Sequence, residues 1–266
     1  MSGCERIAEG FAAARADGRR AALMPYLMGG FPDLERSRAI ALAYADAGAD
    51  LVELGIPFSD PLADGPVIHA AGVAALKAGA SFERVLSVAG ALAGRVPVIL
   101  MCYSNLIYRR GLERVAAMLV DAGACGLIVP DLPLEEASTV LEACDRHGLA
   151  LVPLVAPTTP VDRLAEIGAR ARGFLYTVSL TGTTGERSRL KGLPAVIARA
   201  AAHTEVPIAV GFGIGTPEQA AAAADAGADG VIVGSRLVRA AGEAEDPAGA
   251  VGELVRAFAR ALQAGG

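Results

Sequence analysis

The fold is indicated most strongly by ADAGADLVELGIP (residues 45–57), in which a helix end, a glycine and a short apolar strand follow one another directly. Similar runs occur at VDAGACGLIVPDLP (120–133) and ADAGADGVIVGS (224–235). In each copy Asp-Ala-Gly-Ala ends a helix, the glycine supplies the position after the C-cap, and a strand begins at once. The three copies predict a repeated connection from helix to strand.

Eight short apolar segments alternate with helical patterns along the chain. They lack the alternation of a half-exposed strand, as expected when helices cover both faces of a parallel sheet. Eight βα units in about 250 residues predict a single (β/α)8 TIM barrel domain over residues 1–266, with a doubly wound open sheet as the alternative. An extra N-terminal helix is predicted over 5–17, and a short helix over 236–241 after the last strand. The predicted strands lie within 22–32, 50–55, 96–103, 125–131, 149–157, 173–179, 206–214 and 229–235.

Charge and composition exclude several classes of protein. The net charge is −5 with scattered Lys and Arg, which gives no basic surface for nucleic acid or membrane. The apolar run Val98–Tyr103, like every other uninterrupted apolar run of the chain, is far shorter than the ~20 residues of a membrane span. The charged N-terminal segment does not resemble a secretory signal. Four cysteines without CxxC spacing predict reduced thiols rather than zinc ligands. We therefore expect a soluble, cytoplasmic protein without a metal site.

Carboxylates occur where a barrel places its chemistry, at the carboxyl ends of the strands. The second strand contains Glu53, and the following loop carries Asp60 and Asp64. A buried carboxylate is costly unless it is paired, hydrogen-bonded or used, so Glu53 is either structural or catalytic. The two lysines, Lys77 and Lys191, lie outside the strands, and the three histidines are not placed to hold zinc. This leaves acid–base chemistry by Glu53 with Asp60 or Asp64.

Two glycine-rich segments follow the last two strands, GFGIGTPEQ (211–219) and VGSRLV (233–238). Glycines leave backbone N–H groups open to an anion, and Ser235 precedes the predicted short helix. A helix N-terminus after the eighth strand, facing a loop after the seventh, is the usual phosphate site of this fold. The alternative is that these glycines only form tight turns. The first segment lacks the GxGxxG spacing of a dinucleotide site.

The remaining polar and aromatic residues at strand ends suggest a covered cavity for a flat ring. The loop SLTGTTGERSRL (179–190) is long and polar, as lids over active sites often are, although a plain surface loop has the same composition. Aromatic and apolar side chains near the strand ends either line this cavity or belong to the core. They are Tyr26, Phe58, Met101, Tyr103, Tyr176 and Phe212.

Six segments, in this order and spacing, closely resemble the tryptophan synthase α subunit family over nearly the whole chain: LVELGIPFSDPLADGP, ILMCYSN, VPDLP, LYTVSLTGTTG, GFGI and VGS. The resemblance implies a TIM barrel lyase of tryptophan biosynthesis. Its implied reaction is the retro-aldol cleavage of indole-3-glycerol phosphate to indole and glyceraldehyde 3-phosphate, without metal or cofactor in this chain.

Residue roles follow from the matching motifs. Glu53 is implied as the general acid–base and Asp64 as the partner of the indole N–H, with Tyr176 beside Glu53 and Thr184 in contact with Asp64. The implied phosphate-binding residues are Gly185, Gly213, Gly234 and Ser235. The residues implied to border the indole are Tyr26, Met101 and Tyr103, with Phe212 nearby. Tyr26 and Met101 depart from the Phe and Leu that are common in the family.

The same resemblance implies a partner, a β subunit dependent on pyridoxal phosphate, in an α2β2 heterotetramer. The β subunit would dock around Asp60, Pro61 and Asp131, receive indole and hold the pyridoxal phosphate itself. Three alternatives remain from the residues alone: a phosphosugar isomerase, an FMN-binding oxidoreductase, or a non-catalytic subunit. The isomerase would need acid–base groups on the first and fifth strands, and Glu53 with Asp64 argues against a non-catalytic subunit.

Overall fold

Parallel strands form the centre of the protein in the computed structural model, which describes residues 1–178, 192–211 and 213–264. The strands are β1 Ala22–Met28, β2 Val52–Gly55, β3 Val98–Met101, β4 Gly126–Ile128, β5 Ala150–Val152, β6 Leu154–Val155, β7 Leu175–Val178, β8 Ile208–Gly211 and β9 Gly230–Val233. The described helices are α1 Gly3–Ala16, α2 Leu34–Asp46, α3 Pro66–Lys77, α4 Phe82–Leu92, α5 Ser104–Tyr108, α6 Leu112–Asp121, α7 Ala137–Arg146, α8 Val161–Arg170, α9 Leu193–Ala201, α10 Pro217–Asp225, α11 Ser235–Glu243 and α12 Pro247–Ala261.

Nine strand segments make eight strands of a barrel. The sheet order is β5-β4-β3-β2-β1-β9-β8-β7-β6. The two segments at its ends, β5 and β6, follow one another in the chain, so the sheet returns to its start as a barrel does. Only Pro153 separates β5 from β6, and its carbonyl accepts a hydrogen bond from the N–H of Tyr176 (3.0 Å). Proline has no N–H for a sheet, which divides the fifth barrel strand into two segments. The predicted (β/α)8 TIM barrel is confirmed.

The repeated connection has the predicted backbone. Gly48, Gly123 and Gly227 have φ values of +95°, +76° and +97°, in the left-handed region that glycine occupies without strain. Each follows its helix and precedes a strand, as the sequence predicts.

In two copies of the repeated connection, the last aspartate accepts a hydrogen bond from the neighbouring strand. Asp50 accepts from the N–H of Leu23 (2.7 Å), and Asp229 accepts from the N–H of Ile208 (2.9 Å). Arg19 pairs with Asp50 at 2.6 Å. These bonds fix the starts of β1 and β8 against the turns that lead into β2 and β9, and they satisfy backbone donors at the amino end of the barrel.

The barrel interior is closed at its amino end by α1. Ile7 and Phe11 of this helix are buried in one cluster with Leu51, Ile99 and Phe174 of the barrel. A separate, larger cluster fills the layer between the strands and the outer helices. The extra N-terminal helix is thus present, and the barrel opens at the carboxyl ends of its strands. Across the described residues, no helix combines the length and apolar character needed to cross a membrane.

Two local features differ from the sequence prediction. The short helix α5 was not predicted, and neither was the 3-10 turn at Leu134–Glu136 that precedes α7. The first residue of α5, Ser104, donates from its N–H (2.9 Å) and its hydroxyl (2.7 Å) to Asp131. This carboxylate is distant in sequence, so a local pattern does not reveal the helix that it stabilises.

Candidate active site

A cavity of about 530 Å³ opens at the carboxyl ends of the strands. It brings together eight of the residues predicted for the site: Tyr26, Glu53, Asp64, Met101, Tyr176, Gly213, Gly234 and Ser235. These residues lie on β1, β2, β3 and β7 or in the segments that follow β2, β8 and β9. A single cavity therefore contains the carboxylates, the aromatic residues and the glycine-rich segments.

Glu53 is a buried carboxyl group on β2, with 1% of its surface exposed. It is level with Tyr26 of β1 and Ile99 of β3 in the sheet register. Within the described residues neither of its side-chain oxygens has a hydrogen-bond partner. Burial, and secondarily the charge of Asp64, raise the pKa of Glu53 to about 8. At neutral pH this group is a carboxylic acid that can donate a proton into the cavity.

Asp64 is held by Tyr103. The Tyr103 hydroxyl donates to Oδ1 of Asp64 (2.9 Å) and accepts from the N–H of Ala63 (3.0 Å). The ring of Phe58 stacks on that of Tyr103, with centroids 5.3 Å apart. Burial raises the pKa of Asp64 above its usual value, while the Tyr103 hydrogen bond and the charge of His69 oppose the rise. Tyr103 itself is buried and is not one of the residues that line the cavity, and its hydroxyl fixes the loop that carries Asp64.

The glycine-rich segments form another part of the cavity wall. Gly213 has a φ of +87°, and Gly215 follows it on the same wall. Gly234 is the N-cap of α11 and, having no side chain, makes no capping bond to the first turn. The N–H groups at the start of α11, near Ser235, therefore remain available to an anion.

The other predicted residues lie elsewhere. Asp60 is exposed and Pro61 partly exposed, outside the cavity lining, while Asp131 bonds to Ser104 as described above. Thr184, Gly185 and Phe212, and the predicted lid over 179–190, lie outside the described residues.

Some cavity residues were not predicted. Ile68 and Ile214 add apolar wall, and Gln219 accepts from the N–H of Gly215 (2.7 Å). Arg236 and Arg239 of α11 also line the cavity. The sequence contained a signal for these two arginines. They are three residues apart in the short helix predicted after Ser235, and residues at that spacing share a helix face.

Comparisons with known proteins agree on one family. A family model described as tryptophan synthase alpha chain matches residues 11–265. The tryptophan synthase alpha chain of Synechococcus sp. (strain CC9902) is 50% identical over 226 residues, which cover 83% of each chain. That of Methanosarcina mazei is 46% identical, covering 93% of this chain and 89% of the relative. A chain from the solved structure of Mycobacterium tuberculosis tryptophan synthase superposes with a TM-score of 0.90 at 38% identity, covering 98% of this chain and 99% of that one.

Proposed function

The chain belongs to the tryptophan synthase alpha chain family, and on that premise we propose that Glu53 and Asp64 perform the family's reaction in the cavity between them. The reaction is the retro-aldol cleavage of indole-3-glycerol phosphate to indole and glyceraldehyde 3-phosphate, a lyase step of tryptophan biosynthesis. The indole passes to a β subunit dependent on pyridoxal phosphate, which is the partner of this chain in the complex. The alpha chain carries no cofactor of its own.

The observation that carries the proposal is the state of Glu53. A fully buried carboxyl group with a pKa of about 8 is protonated at neutral pH, and it shares a cavity with a second, partly buried carboxyl group. Two carboxyl groups with different environments are a frequent basis for acid–base catalysis. A group that served only the fold would be expected to have hydrogen-bond partners, and Glu53 has none among the described residues.

Glu53 would act as an acid and then as a base. Its proton adds to C3 of the indole ring, and the ring nitrogen takes the positive charge. The carboxylate then removes the proton from the hydroxyl on the adjacent side-chain carbon. The bond from C3 to that carbon breaks, its electrons restore the ring, and the carbon becomes the aldehyde. The proton returns to Glu53, so the cycle closes without water or metal.

Asp64 would stabilise the positive charge that forms on the indole ring during these steps. Its carboxylate, oriented by Tyr103, accepts a hydrogen bond from the ring N–H, and this bond strengthens as the ring becomes cationic. Tyr26, Met101 and Tyr176 would surround the ring. Gly213, Gly234 and Ser235 would hold the phosphate through backbone N–H groups. Thr184, Gly185 and Phe212 remain predictions for the same ligand.

Three wider features complete the proposal. Residues 1–266 form one domain, which acts in the cytoplasm. The β subunit docks around Asp60, Pro61 and Asp131, on the side of the barrel where the cavity opens. Asp60 is exposed there, and Asp131 is held in place by Ser104.

The test is indole release from indole-3-glycerol phosphate, with and without a β subunit. We expect cleavage by the natural sequence, and a loss of at least roughly 100-fold in Glu53→Gln, the usual contribution of a general acid–base group. Glu9→Gln, an exposed glutamate on α1 at the closed end of the barrel, is the matched control and should retain full activity. Near-normal cleavage by Glu53→Gln would refute the mechanism. A yellow purified protein with bound flavin would favour an oxidoreductase instead.

A further inference from the structure

Two arginines of α11 line the same cavity as Glu53, Arg236 and Arg239. Arg236 is partly buried and Arg239 is exposed. They lie one helical turn apart, on the wall that also carries Gly234 and Ser235. Among the described residues neither forms an ion pair or a hydrogen bond. Other arginines of this chain with comparable exposure are paired, for example Arg110 with Glu83 at 3.2 Å.

An unpaired, partly desolvated guanidinium lining a cavity suits an anionic ligand. Removing part of its hydration costs free energy, which an opposite charge can offset. The planar guanidinium presents several N–H donors in a geometry that matches a phosphate, often with two parallel bonds. The carboxyl groups of the cavity do not fill this role, since Asp64 bonds to Tyr103 and Glu53 is neutral at neutral pH.

We propose that Arg236 and Arg239 bind the phosphate group of the substrate and so determine the selectivity of this cavity for a dianionic ester. This proposal rests on the proposed function, and it adds charge to a site that would otherwise consist of neutral backbone donors. The two side chains extend to the phosphate from the first turns of α11, and the N–H groups near Ser235 contact it at the N-terminus of the same helix. Binding the remote phosphate orients the ring toward Glu53.

The arginine pair would also affect the rate of encounter. The protein has a net charge of −5, so a dianionic ester is repelled by the molecule as a whole. Two positive charges at the cavity provide local attraction, and such attraction weakens as salt screens it over about 10 Å. We therefore expect substrate capture to depend on ionic strength through these residues.

The experiment compares Arg236→Gln, Arg239→Gln and the double variant with Arg256→Gln. Arg256 is an exposed arginine of α12 that does not line the cavity, so its variant makes the same change in net charge. Cleavage of indole-3-glycerol phosphate is measured in the complex with the β subunit. Binding of inorganic phosphate and of indole to the full chain is measured by calorimetry at low and high salt.

We expect KM to rise about tenfold for Arg236→Gln, the scale of one charge-assisted hydrogen bond, with a smaller rise for the exposed Arg239. The value of kcat and the affinity for indole should change little. Phosphate affinity should fall in parallel and lose part of its salt dependence, while Arg236→Lys should recover part of the affinity. Equal KM and phosphate affinity in all four variants would overturn the proposal. Phosphate binding is measured without catalysis, so this result is distinct from a failure of the natural protein to cleave the substrate.

Discussion

The hydroxyl oxygen of Tyr26 lies 2.1 Å from the position that a Cβ atom on Gly55 would occupy. The same arrangement recurs across the barrel, where the Tyr176 hydroxyl lies 2.3 Å from the position of a Cβ on Gly211. In each case the glycine pairs with the residue two positions beyond the tyrosine. Both tyrosines line the cavity, and each has room only because the neighbouring strand carries a glycine.

Replacing Gly55 by Ala should therefore move the Tyr26 ring. The added methyl group meets the hydroxyl and ring atoms of Tyr26, and overpacking of this kind costs about 1–3 kcal/mol of the free energy of unfolding. Tyr26→Phe removes the nearest atom, so the double variant should recover part of the loss. Urea unfolding of the four proteins measures both effects.

The matched control is Gly90→Ala on α4, where an added Cβ meets no atom within 4 Å. It should leave the free energy of unfolding unchanged or raise it slightly. If Gly55→Ala were as stable as Gly90→Ala, the close contact with Tyr26 would not constrain the cavity.

The pH profile of cleavage should report the raised pKa of Glu53. The proposed first step needs the protonated acid, and kcat/KM reflects the ionisation of the free enzyme. We expect kcat/KM to decline above a pH of about 8. Since the pKa of Asp64 is also raised, the acidic limb should lie above the range of an ordinary aspartate. A profile that stays flat well beyond pH 8 would show that Glu53 does not start as the acid.

Stability should depend on pH through the same residue. The pKa of Glu53 is higher in the folded protein than the 4.5 of an unperturbed glutamate, so the folded state favours the proton. The stabilisation is complete below the unfolded value and is lost as the pH rises toward the folded value. Relative to Glu53→Gln, the natural protein should thus lose about 1.4 kcal/mol per pH unit between these two values. Urea unfolding of both proteins across this range measures the difference, and parallel curves would contradict it.

Tyr103 should act as a positioning residue for Asp64. Tyr103→Phe removes the bonds to Asp64 and to the N–H of Ala63 while keeping the stack on Phe58. We expect kcat/KM for cleavage to fall about tenfold, because one hydrogen bond to a charged group is lost. The pKa of Asp64 should rise as well, moving the acidic limb of the profile upward. Tyr108→Phe, at an exposed tyrosine on α5, should change neither quantity.

The sequence contains local signals for the barrel and for its carboxylates. The glycine of each repeated connection must adopt a left-handed conformation, and Gly48 does so at +95°. Glu53 and Asp64 could be predicted as cavity residues because the end of a strand and the following loop determine their place in the fold. Neither inference requires contacts between distant parts of the chain.

Other features depend on such contacts. The helix α5 is stabilised by Asp131, and the orientation of Asp64 depends on Tyr103, a residue 39 positions away. The two halves of the fifth strand pair with different neighbours, β5 with β4 and β6 with β7, and no local pattern specifies these partners. The sequence predicts that Arg236 lies in a short helix. Its position at the cavity depends on how α11 packs on the barrel, which no local pattern indicates.

Leu62 provides a test of the proposed docking surface. It is 87% exposed and lies between Pro61 and Asp64, in the loop proposed to contact the β subunit. A large apolar side chain so exposed loses contact with water when a partner covers it, which contributes about 1.5–3 kcal/mol. Leu62→Ser should therefore weaken association with the β subunit by about tenfold or more in calorimetric titration. Val120→Ser, at a 42% exposed valine in the last turn of α6 at the amino end of the barrel, is the matched control and should leave the affinity unchanged. Equal affinity in both variants would place the β subunit on another face of the barrel.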